Sequence, residues 1–510
     1  MNIIKDWDYF WDNRSLFHLG HLPTETPNPN TTGLAELAQN DLASAVQKLL
    51  DVDHEALTKL LAYVDDCAPL KAQINEVLTH GGRIFISGCG ATGRLAMMLE
   101  KLWRLQAPES MSDRVIGFIA GGDAALIKSV EGFEDHTEYA EKHIQMLGFT
   151  QNDLMIGVTE GGETPFVLGT VEYALQHSKH HPWLLYCNPD ETLANVERSN
   201  QLIQSPNVHN LCLYVGNMAL TGSTRMQATT VQTLALGYAL FDFIQPCDAR
   251  AQIKKLKKAL QNIDVHLLSA LIHDEATIYK NNGLVTYQTT ADLGLTVLTD
   301  TTERSPTFST YAFENSNDDI AMPSLCFLSI ADAKDPETTW QNILGHPPRT
   351  LEWDFSKKDT GIERLMGFDI SENAFSRRKS MFLANVHSLF QIAHDNDHLY
   401  FSNHAHQLEI NTSGLSALST QVLLKCILNL HSTLVMALLG KFQSNIMTHV
   451  FPSNNKLIDR ATRYVLYLLE QQGVTCEYDK VAQTLYNAGE NMHSTESIVL
   501  KTLAKLTEKA

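Results

Sequence analysis

Basic clusters are missing from this sequence. Its 39 lysines and arginines stand against 58 aspartates and glutamates, a formal net charge of −19, and they gather nowhere into a stripe, so nucleic acid is not expected as a partner. Paired cysteines are missing as well. The eight cysteines, at 67, 89, 187, 212, 247, 326, 426 and 476, lie far apart with no CxxC. A chain of 510 residues needs no disulfide staple, so reduced thiols and a cytoplasmic setting are expected. The first residues, MNIIKDWDYFWDNRS, have neither the basic start nor the unbroken apolar centre of a signal peptide. No later run is read as the roughly 20 apolar residues of a membrane span, and no membrane contact is expected. Metal-ligand spacing is also lacking, because His177, His180 and His181 have no matching partners. Neither a metal nor a cofactor is expected.

What remains is a globular composition, 44% hydrophobic, long enough for two or three domains with their own cores. Residues 1–33 carry prolines at 23, 27 and 29, which exclude a helix there and predict an extended surface arm. From Leu34 to Leu78 the apolar spacing is helical. Between 83 and 215, short apolar strands at Arg83–Ser87, Val115–Ala120, Asp153–Val158, Trp183–Cys187 and Leu211–Val215 alternate mostly with helical stretches. That order predicts a parallel sheet with helices on both faces and a ligand at the carboxyl ends of its strands. The loops at those ends read GCGATG (88–93), GGDAALIKSVEGFED (121–135), EGGETPF (160–166) and, after the last strand, LTGSTRMQA (220–228).

The first of these loops lies between a strand and a helix. Gly88, Gly90 and Gly93 let backbone N–H groups and a helix N-terminus converge on an anion. The same glycines match the dinucleotide fingerprint, so an NAD enzyme is a rival reading. The acid that fingerprint expects at the end of the second strand is absent, since VIGFIA runs into Gly121 and Gly122. Thr92 offers a hydroxyl and Arg94 a cation, which suit a compact phosphomonoester. After Gly283 the pattern restarts. Aligning Gly93 with Gly294 sets IFISGCGATG beside VTYQTTADLG, aligning Gly117 with Gly367 sets GFIAGGDAA beside GFDISENAF, and LTGSTRMQATTVQTLAL has an echo in 415–430. The chain reads as a diverged internal duplication. Glu131 and Glu134 share one loop, and Glu303 precedes Pro306, which is read as the stop of its helix.

These motifs resemble the sugar isomerase (SIS) domain of the N-acetylmuramic acid 6-phosphate etherases, and the two-domain layout is similar to the glucokinase regulatory proteins. The resemblance is carried by LPTETPNP (22–29), GCGATGRLA (88–96), IAGGDAAL with VEGFED (119–135), TPFVLG (164–169), CNPD (187–190), LTGSTRM (220–226), LGKFQSNIM (439–447) and SNNKLIDRA (453–461). It implies an α/β fold of two tandem SIS-type domains, each a parallel sheet between helices, with helical terminal segments. The expected division is 1–50 for an N-terminal arm and helix, 51–245 for the first domain, 246–440 for a diverged second domain and 441–510 for a C-terminal helical segment. In the etherases one glutamate lies nine residues after the loop's last glycine, in D-x-x-E-x-P-P-T, and another lies in E-G-x-E-D. Glu134 matches the second. Nine residues after Gly93 stands Leu102, but nine after Gly294 stands Glu303, in DTTERSPTF.

The expectation is one composite site in an internal pseudo-dimer, with self-association beyond it left open. Gly90, Ala91, Thr92, Gly93 and Arg94 would meet the phosphate of a sugar phosphate with Ser223 and Thr224. Glu134 and Glu303 would act as base and acid. The loop Glu160, Gly161, Gly162, Glu163, Thr164 departs from the etherases' A-S-G-R-T-P: it loses a serine and an arginine and gains two carboxylates. Gln227 replaces a lysine. These changes point to a different preferred sugar, with an amine or hydroxyls facing Glu160 or Glu163. The resemblance thus implies a sugar-phosphate lyase of etherase type. A sugar-phosphate isomerase and a non-catalytic sugar-phosphate-binding regulator are the alternatives.

Overall fold

The computed structural model describes residues 2–507 except 5, 6, 131, 321, 453 and 494; Glu131 therefore lies outside the described residues. The N-terminal stretch is not an extended surface arm. It forms a helix at Trp7–Asn13 and short 3-10 turns at Pro23–Glu25 and Pro29–Thr31. Proline is well tolerated at the start of such turns, and Thr24, Glu25 and Thr31 are buried. Helix α1, Leu42–Tyr63, runs unbroken through residue 50.

The first sheet is built from β1 (Ile84–Gly88), β2 (Val115–Ile119), β3 (Leu154–Val158), β4 (Trp183–Tyr186) and β5 (His209–Cys212), in the order β2-β1-β3-β4-β5. All its pairings are parallel. Because the strand order reverses between β1 and β3, their carboxyl ends open a crevice. Helix α2 (Ala91–Gln106) leaves the first of those ends, α3 (Pro165–His177) leaves the other, and α4 (Gln227–Phe241) follows the Ser223–Thr224 loop.

The second sheet differs from the expected one. After α5 (Val265–Lys280) come β6 (Leu284–Thr289), α6 (Ala291–Phe308), β7 (Cys326–Ile330), β8 (His387–His394), β9 (His398–Ser402) and β10 (Gln407–Asn411), with the order β10-β9-β8-β6-β7. The segment β7-β6-β8 is parallel and repeats β2-β1-β3, while β9 and β10 are antiparallel additions. Their alternating burial is the period of a sheet with one wet face, which antiparallel strands tolerate and parallel ones rarely do. The pairing of Gly117 with Gly367 does not hold, since Gly117 lies in β2 whereas Gly367 follows a short helix and β7 takes the equivalent place.

Helix α7 (Ala417–Leu438) follows β10. Contrary to the sequence expectation it is long and apolar enough to cross a membrane, with mean hydropathy 1.5, but 89% of that stretch is buried. It is a core helix that packs against α4, α5 and α6. Helix α8 (Asn455–Gln471) then returns to the crevice of the first sheet.

Buried ion pairs fix how α6 is set in the core. Asp300 accepts from Arg225 at 2.9 Å and from Arg304 at 2.9 Å, and Arg304 also donates to Glu275 at 2.7 Å. Charges so buried are tolerated only when fully partnered, so the register of α6, and with it Glu303, is held against the loop that precedes α4.

Candidate functional site

At the head of β1 the chain turns at Gly90, whose φ of 54° and ψ of −119° suit glycine rather than a side-chain-bearing residue. Helix α2 starts immediately after, with no side chain capping it. The Thr92 N–H is spent on the Cys89 carbonyl at 3.2 Å, which leaves the N–H groups of Ala91 and Gly93 to meet an anion. Gly90 and Ala91 line a cleft of about 210 Å³. The other residues of this turn expected at the anion, Thr92, Gly93 and Arg94, do not line it. Thr92 Oγ1 donates to the Cys89 carbonyl at 2.9 Å and accepts from the Cys89 N–H at 3.0 Å, so it closes the turn. At Gly93 a Cβ would stand 2.4 Å from Ile119; this glycine brings α2 onto β2. Arg94 is buried beneath the cleft, where it donates to the Leu126 carbonyl at 2.9 Å and to Glu303 Oε1.

Ser223 and Thr224 line the same cleft. Ser223 is buried, and its hydroxyl has no protein partner among the described residues. An unpartnered buried hydroxyl is costly unless a ligand or water meets it, and here it lies beside the free end of α2.

Glu134 and Glu303, 169 positions apart, both line this cleft. Glu134 comes from the loop after β2 and is 30% exposed. Glu303 comes from the last turns of α6 and is 14% exposed. Pro306 does not stop α6, which continues to Phe308 and ends at Ser309 in a left-handed conformation. Pro306 costs the helix the bond to the Thr302 carbonyl, but only two residues of helix follow it, so little is lost. Arg94 joins the helix after the first half's glycine turn to the second half's carboxylate. Burial pushes the proton affinity of Glu134 up, against the pull of nearby Lys456.

The loop after β3 divides its two carboxylates. Glu160 lines the cleft, and burial, with Glu303 and Glu134 close by, pushes its pKa up to about 7. Glu163 is 2% exposed and turned away from the cleft. Burial disfavours its charge, but Lys456 and Arg198, each at 2.6 Å, hold its pKa down at about 2. Thr164 lines the cleft and shares a hydrogen bond with Thr159. Gly161 and Gly162 form the turn beside it, where the Gly161 carbonyl accepts from Asn188 at 2.9 Å.

Sequence reasoning missed the cations. Lys456 and Arg460, on the first turns of α8, line the cleft, and Arg460 is held by Glu25 at 2.9 and 2.6 Å. The stretch SNNKLIDRA contained both, but only tertiary contact assigns them partners. Arg225 also lines the cleft while bound to Asp300. Among the described residues no group of three or more His, Cys, Asp or Glu is arranged to hold a metal ion.

The chain is similar to known proteins over part of its length. Residues 69–175 match the family model described as the glucokinase regulatory protein N-terminal SIS domain. An N-acetylmuramic acid 6-phosphate etherase of Serratia proteamaculans is 36% identical over 221 residues, 43% of this chain and 69% of that one. A second etherase, N-acetylmuramic acid 6-phosphate etherase 2 of Vibrio cholerae, is 31% identical over 250 residues, 48% of this chain and 73% of that one. Among solved structures, the C-terminal domain of glucosamine-fructose-6-phosphate aminotransferase from Francisella tularensis is similar with a TM-score of 0.36 and 13% identity, over 77% of this chain and 95% of that one. With more than a third of the aligned residues identical to an etherase over two thirds of its length, this chain belongs to the N-acetylmuramic acid 6-phosphate etherase family.

Proposed function

We propose that the chain is a carbon–oxygen lyase of etherase type that acts on N-acetylmuramic acid 6-phosphate or a related aminosugar phosphate. The observation that carries this reading is the meeting of Glu134 and Glu303 from the two halves in one cleft, beside an uncapped helix N-terminus. The relatives' printed activity supports the choice of reaction.

The phosphate is held by the N-terminus of α2 at Gly90 and Ala91 and by the hydroxyls of Ser223 and Thr224. This needs no free cation, because helix-end N–H groups and hydroxyls donate to an anion directly. The sugar reacts in its open-chain form, whose aldehyde at C1 acidifies the proton on C2. Glu134, with its raised proton affinity, takes that proton. The electron pair of the C2–H bond forms the C2–C3 double bond, and the pair of the C3–O bond leaves with the ether oxygen, which is protonated through Glu303. Lactate departs, and water adds at C3 with the proton movements reversed.

Incubation with N-acetylmuramic acid 6-phosphate and assay for D-lactate tests the reading. Release of lactate by the wild-type chain is expected, and its absence under saturating binding contradicts it. That contrary result would favour the second reading, a sugar-phosphate-binding regulator, which the match of residues 69–175 to the regulatory-protein SIS model supports. An isomerase would instead convert the sugar phosphate without releasing lactate.

A further inference from the structure

Lys456 Nζ lies 2.6 Å from Glu163 Oε1 and 4.0 Å from Glu134 Oε1. At equal screening the attraction falls inversely with distance, so Glu163 holds this ammonium about one and a half times as strongly as Glu134 does. Glu163 is itself fixed. Its Oε2 accepts from Arg198 Nη2 at 2.6 Å, and its carbonyl accepts from Nε of the same guanidinium at 2.7 Å. The other charged or titratable groups around Glu134 are Asp135 on its own loop, Cys89 and Glu160 at the heads of β1 and β3, Glu163 itself, Arg460 one turn along α8 and, in the same cleft lining, Glu303 from α6. Arg460 is committed to Glu25 by two hydrogen bonds. Lys456 is therefore the cation whose sharing sets the charge balance at Glu134.

We propose that Glu163 is a positioning residue that holds Lys456 at hydrogen-bonding distance from itself and out of hydrogen-bonding distance of Glu134, leaving Glu134 free to take a proton from the ligand. This rests on the reading of Glu134 as the base. A lysine in contact with Glu134 would lock it as an ion pair and weaken it as a base. The loop of Glu160–Thr164 thus acts on the reaction without its second carboxylate touching the sugar.

The test is a pH titration of the full chain labelled with 13C at the glutamate carboxyls, followed by NMR, with the Glu134 signal identified by its loss in Glu134→Gln. Glu163→Gln releases Lys456 toward Glu134 and is expected to lower the Glu134 midpoint by about one pH unit, tenfold in proton affinity. The acid limb of the lactate-release profile shifts with it. Lys456→Met is expected to move the midpoint upward, and Glu163→Asp, which keeps the charge, to leave it near the wild-type value. A Glu134 midpoint unmoved in both Glu163→Gln and Lys456→Met overturns the proposal. If the midpoints shift as expected but the wild type releases no lactate, the positioning role stands and the etherase reading falls. If lactate is released and the midpoints stay fixed, the reverse holds.

Discussion

In the first half, the turn between β1 and α2 leaves the helix N-terminus uncapped and open to a cleft. In the second half, the corresponding N-terminus of α6 receives a carboxylate of the chain itself, because Ala291 N–H donates to Asp332 Oδ1 at 3.3 Å. The helix bodies differ in the opposite sense. Where α6 carries Glu303 into the cleft, α2 carries Leu102 into the core. The neighbouring Glu100 is held by Arg349 and Arg104, so charges from both halves fill the space beside it. One copy of the strand–turn–helix leaves its helix N-terminus open to the cleft, and the other brings a carboxylate to it. On the proposed reading, the chain contains one complete site where a symmetric pair would have two.

The sharpest way to break that comparison is to remove the carboxylates one at a time. Glu134→Gln and Glu303→Gln are each expected to lower lactate release by roughly 10²–10⁴-fold. Exchange of the C2 proton in deuterated water separates their roles: it is lost in Glu134→Gln and survives in Glu303→Gln. The opposite pattern would swap acid and base. Arg94→Met removes one of the ties between the halves, the one to Glu303, without touching the cleft lining. It is expected to cost about 1.5–3 kcal/mol of stability in urea unfolding and to reduce turnover by displacing Glu303; unchanged turnover would show that Glu303 holds its place without the first half. Next come two buried hydroxyls without a partner among the described residues, Ser223 in the first half and Thr289 in the second. By calorimetry Ser223→Ala is expected to weaken sugar-phosphate binding about three- to tenfold, the worth of one hydrogen bond. Thr289→Ala should leave it unchanged at one ligand per chain, and a stoichiometry of two would undo the asymmetry.

The smallest effect concerns acid stability. Glu163 has its pKa held at about 2 by Lys456 and Arg198 despite burial, below its unfolded value of about 4.3. Its contribution to stability is therefore present above that unfolded value and lost as pH falls toward 2. Urea midpoints measured from pH 6 down to pH 2.5 should fall less steeply in Glu163→Gln than in the wild type.

Local pattern made much of this legible. Glycines between an apolar run and a helical run give strand, turn and helix from backbone sterics alone, and β1 and α2 lie where that reading put them. The nine-residue spacing from Gly294 singles out Glu303, and the structure brings it to the same cleft as Glu134. The antiparallel pair β9 and β10 was not foreseen, although His398–Ser402 and Gln407–Asn411 alternate in burial, because the duplication suggested a second copy of the first sheet. Arg94 and Thr92 were expected at the phosphate from sequence proximity. Their true partners, Glu303 and Cys89, depend on which way each side chain leaves the first turn of α2. The pairing of Lys456 with Glu163 spans 293 positions and has no local signature. Tertiary ion pairs of this kind are set by the fold, and no periodicity encodes them.

On the proposed reading, one cleft draws its anion site from the first half and its second carboxylate from the other. A crystal structure of the chain with a non-reacting sugar 6-phosphate tests it most directly. The phosphate is expected at the N-terminus of α2 beside Ser223, with the sugar between Glu134 and Glu303. A phosphate at the N-terminus of α6, or a sugar in contact with only one of the two glutamates, would contradict it.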